Sequence, residues 1–153
     1  MKISISIKRK LLDECREYIE QRIHIARKAM NEAQDAANTE LKSSAGDKYE
    51  TGRAMMLIER ENHAIQLSEA LQVKKVLEQI RIDKKLNQVQ TGSLVVTTYG
   101  NFFVAIGAGK IVIGKNEFFA VSHSSPIGMK LQKLHKGDVV EINGKNVKIL
   151  AII

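Results

Sequence analysis

The sequence predicts an α+β protein: a long antiparallel helical hairpin followed by a small antiparallel β domain with one short helix. Three observations carry that prediction. Apolar and small residues recur every three or four positions over most of the first ninety residues, and glycine occurs there only at Gly46 and Gly52. The break at Ser43–Gly52 falls near the middle of this pattern, as expected for two antiparallel arms joined at a tip. Eight of the ten glycines lie from Gly92 onward, where β-branched residues replace alanine.

The chain of 153 residues carries a net charge of +7, which favours polyanionic or acidic partners. The start, Met1–Ile7, alternates like a short strand or extended tail and lacks the apolar core of a signal peptide. No apolar run reaches the ~20 residues needed to cross a membrane, so the expected location is cytoplasmic. The single cysteine, Cys15, excludes an internal disulfide and reads as a buried helix residue.

The first arm begins with Lys8-Arg9-Lys10, with its stripe at Leu12, Cys15, Ile19, Ala26, Ala29, Ala33, Ala36/Ala37 and Leu41. Its alanines allow a partner helix to approach closely. The second stripe is read at Ala54, Leu57/Ile58, Ala64/Ile65, Ser68, Leu71, Val76 and Ile80. Helix is expected to about residue 88, giving a hairpin domain over 1–90 with its tip at 44–52. Lys74, Lys75, Arg81, Lys84 and Lys85 close the second arm. They read either as a solvated helix end, favoured by the dipole, or as a basic patch facing nucleic-acid phosphates.

The second domain, 91–153, is expected to hold strands at Ser93–Thr98, Phe102–Ile106, Lys110–Ile113 and Glu117–Val121. Ser124-Ser125-Pro126 fits a capped helix start, running through Leu131 or Leu134. Strands at Val139–Ile142 and Lys145–Ile152 flank Asn143-Gly144, a two-residue hairpin signal.

Nothing in this pattern forms a self-contained active site. Gly107-Ala108-Gly109 lacks the spacing of a phosphate loop, and the four histidines show no ligand spacing. No cofactor bound by the chain alone and no small-molecule substrate are therefore expected. The tip carboxylates Asp47 and Glu50 fit a capping box for the second arm. They also fit a pair that completes a magnesium site belonging to another macromolecule, since magnesium accepts one or two protein carboxylates.

The helical hairpin, the Gly46-Asp47-x-x-Glu50 tip and the β domain together resemble the bacterial Gre-type transcript-cleavage and elongation factors. Ser122-x-x-Ser125-Pro126-Ile127, Gly137-Asp138-Val139-Val140 and the closing hairpin add a second match. The resemblance implies binding to RNA polymerase through its secondary channel, close to nascent RNA and DNA, and an FKBP-like β domain. It implies that Asp47 and Glu50 act catalytically in that complex, holding Mg2+ shared with the polymerase and positioning the attacking water. It implies further that Ser122, Ser125 and Pro126 contact the channel rim. The chain departs from the family pattern at Thr51-Gly52-Arg53-Ala54, where an acidic position has become Arg53. A channel-binding regulator without cleavage activity and a coiled-coil adaptor or oligomerisation protein are the alternative readings.

Overall fold

Two long helices and a six-stranded mixed sheet with one short helix make up the protein. The structure is a computed structural model that describes residues 3–43 and 47–153, and the side chains of residues 40–43 and 47–49 lie outside the described set.

Helix α1 spans Ile5–Ser43 and α2 spans Asp47–Glu78. Two expectations fail at their ends. The alternating Ile5 and Ile7 belong to helix, because Ile7, Leu11 and Cys15 follow one another at fourfold spacing and are all buried. Helix α2 stops at Glu78, well short of residue 88, and the chain from Gln79 to Gln90 is irregular. Residues 47–52 are helical, so Gly52 does not break the helix. The expected tip centre, Ser44–Gly46, lies outside the described residues.

The chain forms two compact units, one comprising Ile19–Lys74 and the other residues up to Tyr18 together with Lys75–Ile153. In the first, the helices run antiparallel. Glu20 pairs with Lys74 at 2.6 Å, Arg22 and Ala26 share a groove with Gln66 and Ala70, and Ala33 and Ala36 share one with Met56 and His63. Buried Ile19, Ile23, Ala26, Ala33 and Ala37 form the α1 seam.

The α2 seam differs from the expected stripe. Ile58 and Ile65 are 62% and 51% exposed, and Ala54 is also exposed. Ala70 is buried, and Met56, Leu57, Arg60, His63, Ala64, Leu67, Val73 and Lys74 are half-buried. The covered side keeps Leu57 and Ala64 of the expected stripe but turns away from Ile58 and Ile65. Three of the half-buried positions are polar. Hydropathy alone does not pick out such positions, because a long polar side chain can lie along a seam with its head in water.

In the second unit the strands are β1 (Leu94–Thr97), β2 (Asn101–Ala105), β3 (Gly109–Ile113), β4 (Asn116–Ser122), β5 (Val139–Ile142) and β6 (Lys145–Ile152), with α3 (Pro126–Leu131) between β4 and β5. Their order is β3-β4-β2-β1-β6-β5. The expected antiparallel sheet is mixed: β2 and β4 run parallel, Phe102 against Phe119 and Val104 against Val121. The hairpin of β3 with β4 reverses the chain before it returns beside β2.

One sheet face supplies Val95, Phe102, Val104, Val147 and Ile149 to a core with Leu131 of α3, Ile142 and Val89. Alternation places Leu94, Phe103, Ala105, Phe118 and Ala120 on the other face, and these are also buried. The irregular chain after α2 is pinned to the same core. Val89 N–H donates to the Leu134 carbonyl at 2.8 Å, and Lys133 N–H to that of Val89 at 3.0 Å. Asn143 and Gly144 have φ of 51° and 78°, the left-handed pair that a tight hairpin turn requires.

Candidate functional site

The sequence singles out the start of α2. Asp47 is its first residue and Glu50 lies one turn later, so the backbone brings the two positions to one side of the helix. Glu50 is exposed, whereas the Asp47 side chain lies outside the described residues. Arg53 follows, half-buried, with its Nε shielded from solvent. Among the described residues, no three His, Cys, Asp or Glu side chains converge as a metal-holding group.

The segment Ser122–Pro126 is built by its own hydrogen bonds. Ser125 caps α3: its Oγ accepts from the Gly128 N–H at 3.0 Å and donates to the Ser122 carbonyl at 2.7 Å. Pro126 occupies the first helical turn, where its missing N–H costs nothing, and it is exposed. Ser122 Oγ lies 3.2 Å from Ser124 Oγ. Ser122 and Ser125 are half-buried, which leaves His123, Ser124 and Pro126 as the segment's exposed positions.

Sequence reasoning passed over Gly128. A Cβ there would overlap the Ser122 carbonyl oxygen and crowd the capping hydroxyl, so only glycine lets α3 start so close to the end of β4. Its one visible signal was a glycine inside a six-residue helix.

The basic residues do not share one helical face. Lys74 is committed to Glu20 across the two helices. Lys75 is exposed in the last turn of α2, where a cation offsets the helix dipole. Arg81, Lys84 and Lys85 are exposed in the irregular chain that follows, with exposed Asp83 among them. Lys8, which the sequence groups with exposed Arg9 and Lys10, is buried. It is 1% exposed, and its Nζ donates to the Ile153 carbonyl at 3.0 Å. Burial pushes its pKa below the ordinary lysine value.

Cys15 is buried as expected. Burial, and secondarily the charge of Glu14, push its thiol up to about 12, which removes it as a nucleophile at neutral pH. His123 lines an open cleft of about 260 Å³ with Val76, Gln79, Ile80 and Thr91, and among the described residues it is the only titratable side chain there. That lining lacks the base–nucleophile pair a hydrolytic site needs.

No protein-family model matches the chain, and no curated protein matches it. Charge therefore gives the broadest remaining clue. The sheet-bearing unit holds 16 of the 24 lysines and arginines against 8 acids, whereas Ile19–Lys74 holds 8 against 9. No described helix is long and apolar enough to cross a membrane.

Proposed function

We propose that this protein is a cytoplasmic transcription elongation factor of the Gre type. It binds RNA polymerase through the secondary channel and stimulates cleavage of backtracked RNA. The observation that carries this reading is the placement of Asp47 and exposed Glu50 in the first turn of α2, where two long antiparallel helices meet their connection. A pair one turn apart suits a magnesium ion, which needs few protein carboxylates when phosphate oxygens and water complete its shell. The polymerase would supply the remaining protein ligands. Asp47 and Glu50 would be this chain's ligands to that ion, which would supply charge neutralisation and a more acidic water for attack on the phosphodiester.

Glu50 has the reach and exposure to accept a hydrogen bond from that water, and Asp47 stands one turn nearer the helix start. The near-neutral charge of Ile19–Lys74 permits approach to a site lined by phosphates. The sheet unit, which we read as FKBP-like, supplies the partner contact through Pro126 and its neighbours, with Ser122 and Ser125 shaping that segment. Arg53 favours a second reading, a channel-binding regulator that does not cut, because it offsets one carboxylate charge within a turn of Glu50.

Stalled elongation complexes with backtracked RNA separate the two readings. Wild-type protein is expected to release short 3′ RNA fragments in magnesium. Asp47→Asn and Glu50→Gln are expected to lower that rate at least tenfold while leaving polymerase binding intact. Binding without cleavage by the wild type would establish the regulator instead, and absence of polymerase binding would remove both.

A further inference from the structure

A row of aromatic rings on the sheet has no part in the reading above. Tyr99, in the β1–β2 turn, stacks on Phe102 with centroids 6.5 Å apart and planes within 6°. Phe102 in turn meets Phe119 at 6.0 Å. The middle ring is buried, but the outer two are not: Tyr99 is 45% and Phe119 38% exposed. Phe102 belongs to the core beneath α3, so the row runs outward from that core onto a part of the same face that α3 leaves open.

Two lysines flank the row. Lys145 Nζ sits 5.9 Å from the Tyr99 ring centroid, and Asn143 of the same hairpin turn reaches the Tyr99 hydroxyl at 3.5 Å. Lys110 lies opposite Phe119 in the β3–β4 register. It pairs with Glu117 at 2.9 Å, and alternation puts that carboxylate on the same face.

We propose that this open face binds single-stranded nucleic acid. Bases stack on Tyr99 and Phe119, and the adjoining phosphates meet Lys145 and Lys110. The near-parallel Tyr99–Phe102 pair is already a short stack that an unpaired base can extend, and any base has a suitable ring face. The surrounding unit carries twice as many cations as acids, which complements a polyphosphate. A duplex buries its base faces and cannot use the rings. The site does not depend on polymerase binding, so the isolated full-length protein suffices to test it.

The probe is a fluorescein-labelled twelve-nucleotide oligouridylate, titrated with protein and followed by anisotropy at several salt concentrations. Saturable binding that weakens as salt rises is expected, with the same sequence in duplex form bound at least tenfold more weakly. Tyr99→Ser and Lys145→Glu should each weaken the single-strand affinity about tenfold. Lys148→Glu makes the same charge change on the opposite face and should cost less than threefold. Tyr99→Phe keeps the ring and should bind within twofold of wild type, while losing any tyrosine-fluorescence quench caused by stacking. Circular dichroism of each variant confirms folding.

Equal losses for Lys145→Glu and Lys148→Glu would overturn the proposal, since binding would then be diffuse attraction. So would preference for the duplex, or absence of saturable binding. Displacement of the oligonucleotide by an acidic, tyrosine-containing peptide at lower concentration would reassign the face to a protein partner.

Discussion

Lys8 shows how much one side chain can hide. In a run of Lys8-Arg9-Lys10 all three cations look solvated, yet the first is buried and hydrogen-bonded to the Ile153 carbonyl, while its neighbours are exposed. Its phase on α1, one position after Ile7 and four before Leu12, was readable; the waiting carbonyl acceptor was not, because it lies 145 residues away. A buried ammonium is tolerated only with a partner, and the cost of desolvating it persists. Because burial lowers the folded-state pKa of Lys8, the unfolded chain holds the proton more tightly. The resulting penalty is present at neutral pH and is relieved as pH rises through the lowered pKa towards 10.5. Cys15 acts in the opposite sense. Its raised pKa means that stability is lost as pH rises from 9.0 to about 12. The two effects oppose each other in one protein, so the informative quantity is the difference between wild type and Lys8→Met, in which Cys15 cancels. Lys8→Met keeps the apolar stem and is expected to change stability at pH 7 by no more than about 1 kcal/mol. Between pH 8 and pH 10.5, urea denaturation should show the wild type gaining stability relative to the variant. A constant difference across that range would mean that folded Lys8 keeps its proton as firmly as the unfolded chain does, so that burial does not lower its pKa.

At the scale of elements, legibility followed how local the determining forces were. The β5–β6 hairpin was readable to the residue because Asn143-Gly144 fixes its turn, and α3 because Ser125-Pro126 caps it. The parallel pairing of β2 with β4 was not, since it depends on where a whole hairpin returns and not on any turn residue. The end of α2 at Glu78 was missed for a related reason. No glycine or proline stands between there and Gly92, and Leu86 and Val89 continue an apolar pattern that is in fact buried by irregular chain. The candidate site was legible as residue types, namely Asp47, Glu50 and the serine–proline segment, and Ser125 was legible as a cap, but its second bond, to the Ser122 carbonyl, was visible only in the structure. That use has a measurable consequence. Ser125→Ala should lose about 1 kcal/mol, the worth of an N-cap. Gly128→Ala should lose more, about 2–3 kcal/mol, by forcing a methyl group onto the Ser122 carbonyl. Thermal unfolding would rank the two. If Gly128→Ala matched wild type, the close approach of α3 to β4 would not be a constraint, and the segment would be free to serve a partner alone.

For the whole molecule, the decisive division lies within the helices. Both α1 and α2 contribute to each compact unit, so the sheet unit is assembled from residues up to Tyr18 and from Lys75 onward. Its share of α1 buries a broad face, Ile7, Lys8, Leu11, Leu12 and Cys15, whereas the stretch beyond buries Ile19 and Ile23 and then narrows to single alanines, Ala26, Ala33 and Ala37. Across from these residues α2 presents Gln66 and Ala70 beside Ala26, and Met56 and His63 beside Ala33, which contribute less dry contact than the apolar pairs of a strong coiled coil. Helices with so thin a seam draw little stability from each other, and an isolated helix is marginal in water. A chain in which residues 19–74 are replaced by a short glycine–serine linker should therefore fold, because it keeps every residue of the sheet-bearing unit. It should unfold cooperatively, with a midpoint close to that of the full protein. Residues 19–74 made alone should be partly helical and melt gradually. Circular dichroism on both fragments measures this directly. Loss of sheet structure in the shortened chain would show that the two units fold as one, and a sharp transition in the helical fragment would show that its seam is stronger than its residues imply. The same shortened chain also separates the two functional proposals. It lacks Asp47 and Glu50 but retains Tyr99, Phe119 and Lys145, so it should be inert on backtracked complexes while still binding oligouridylate.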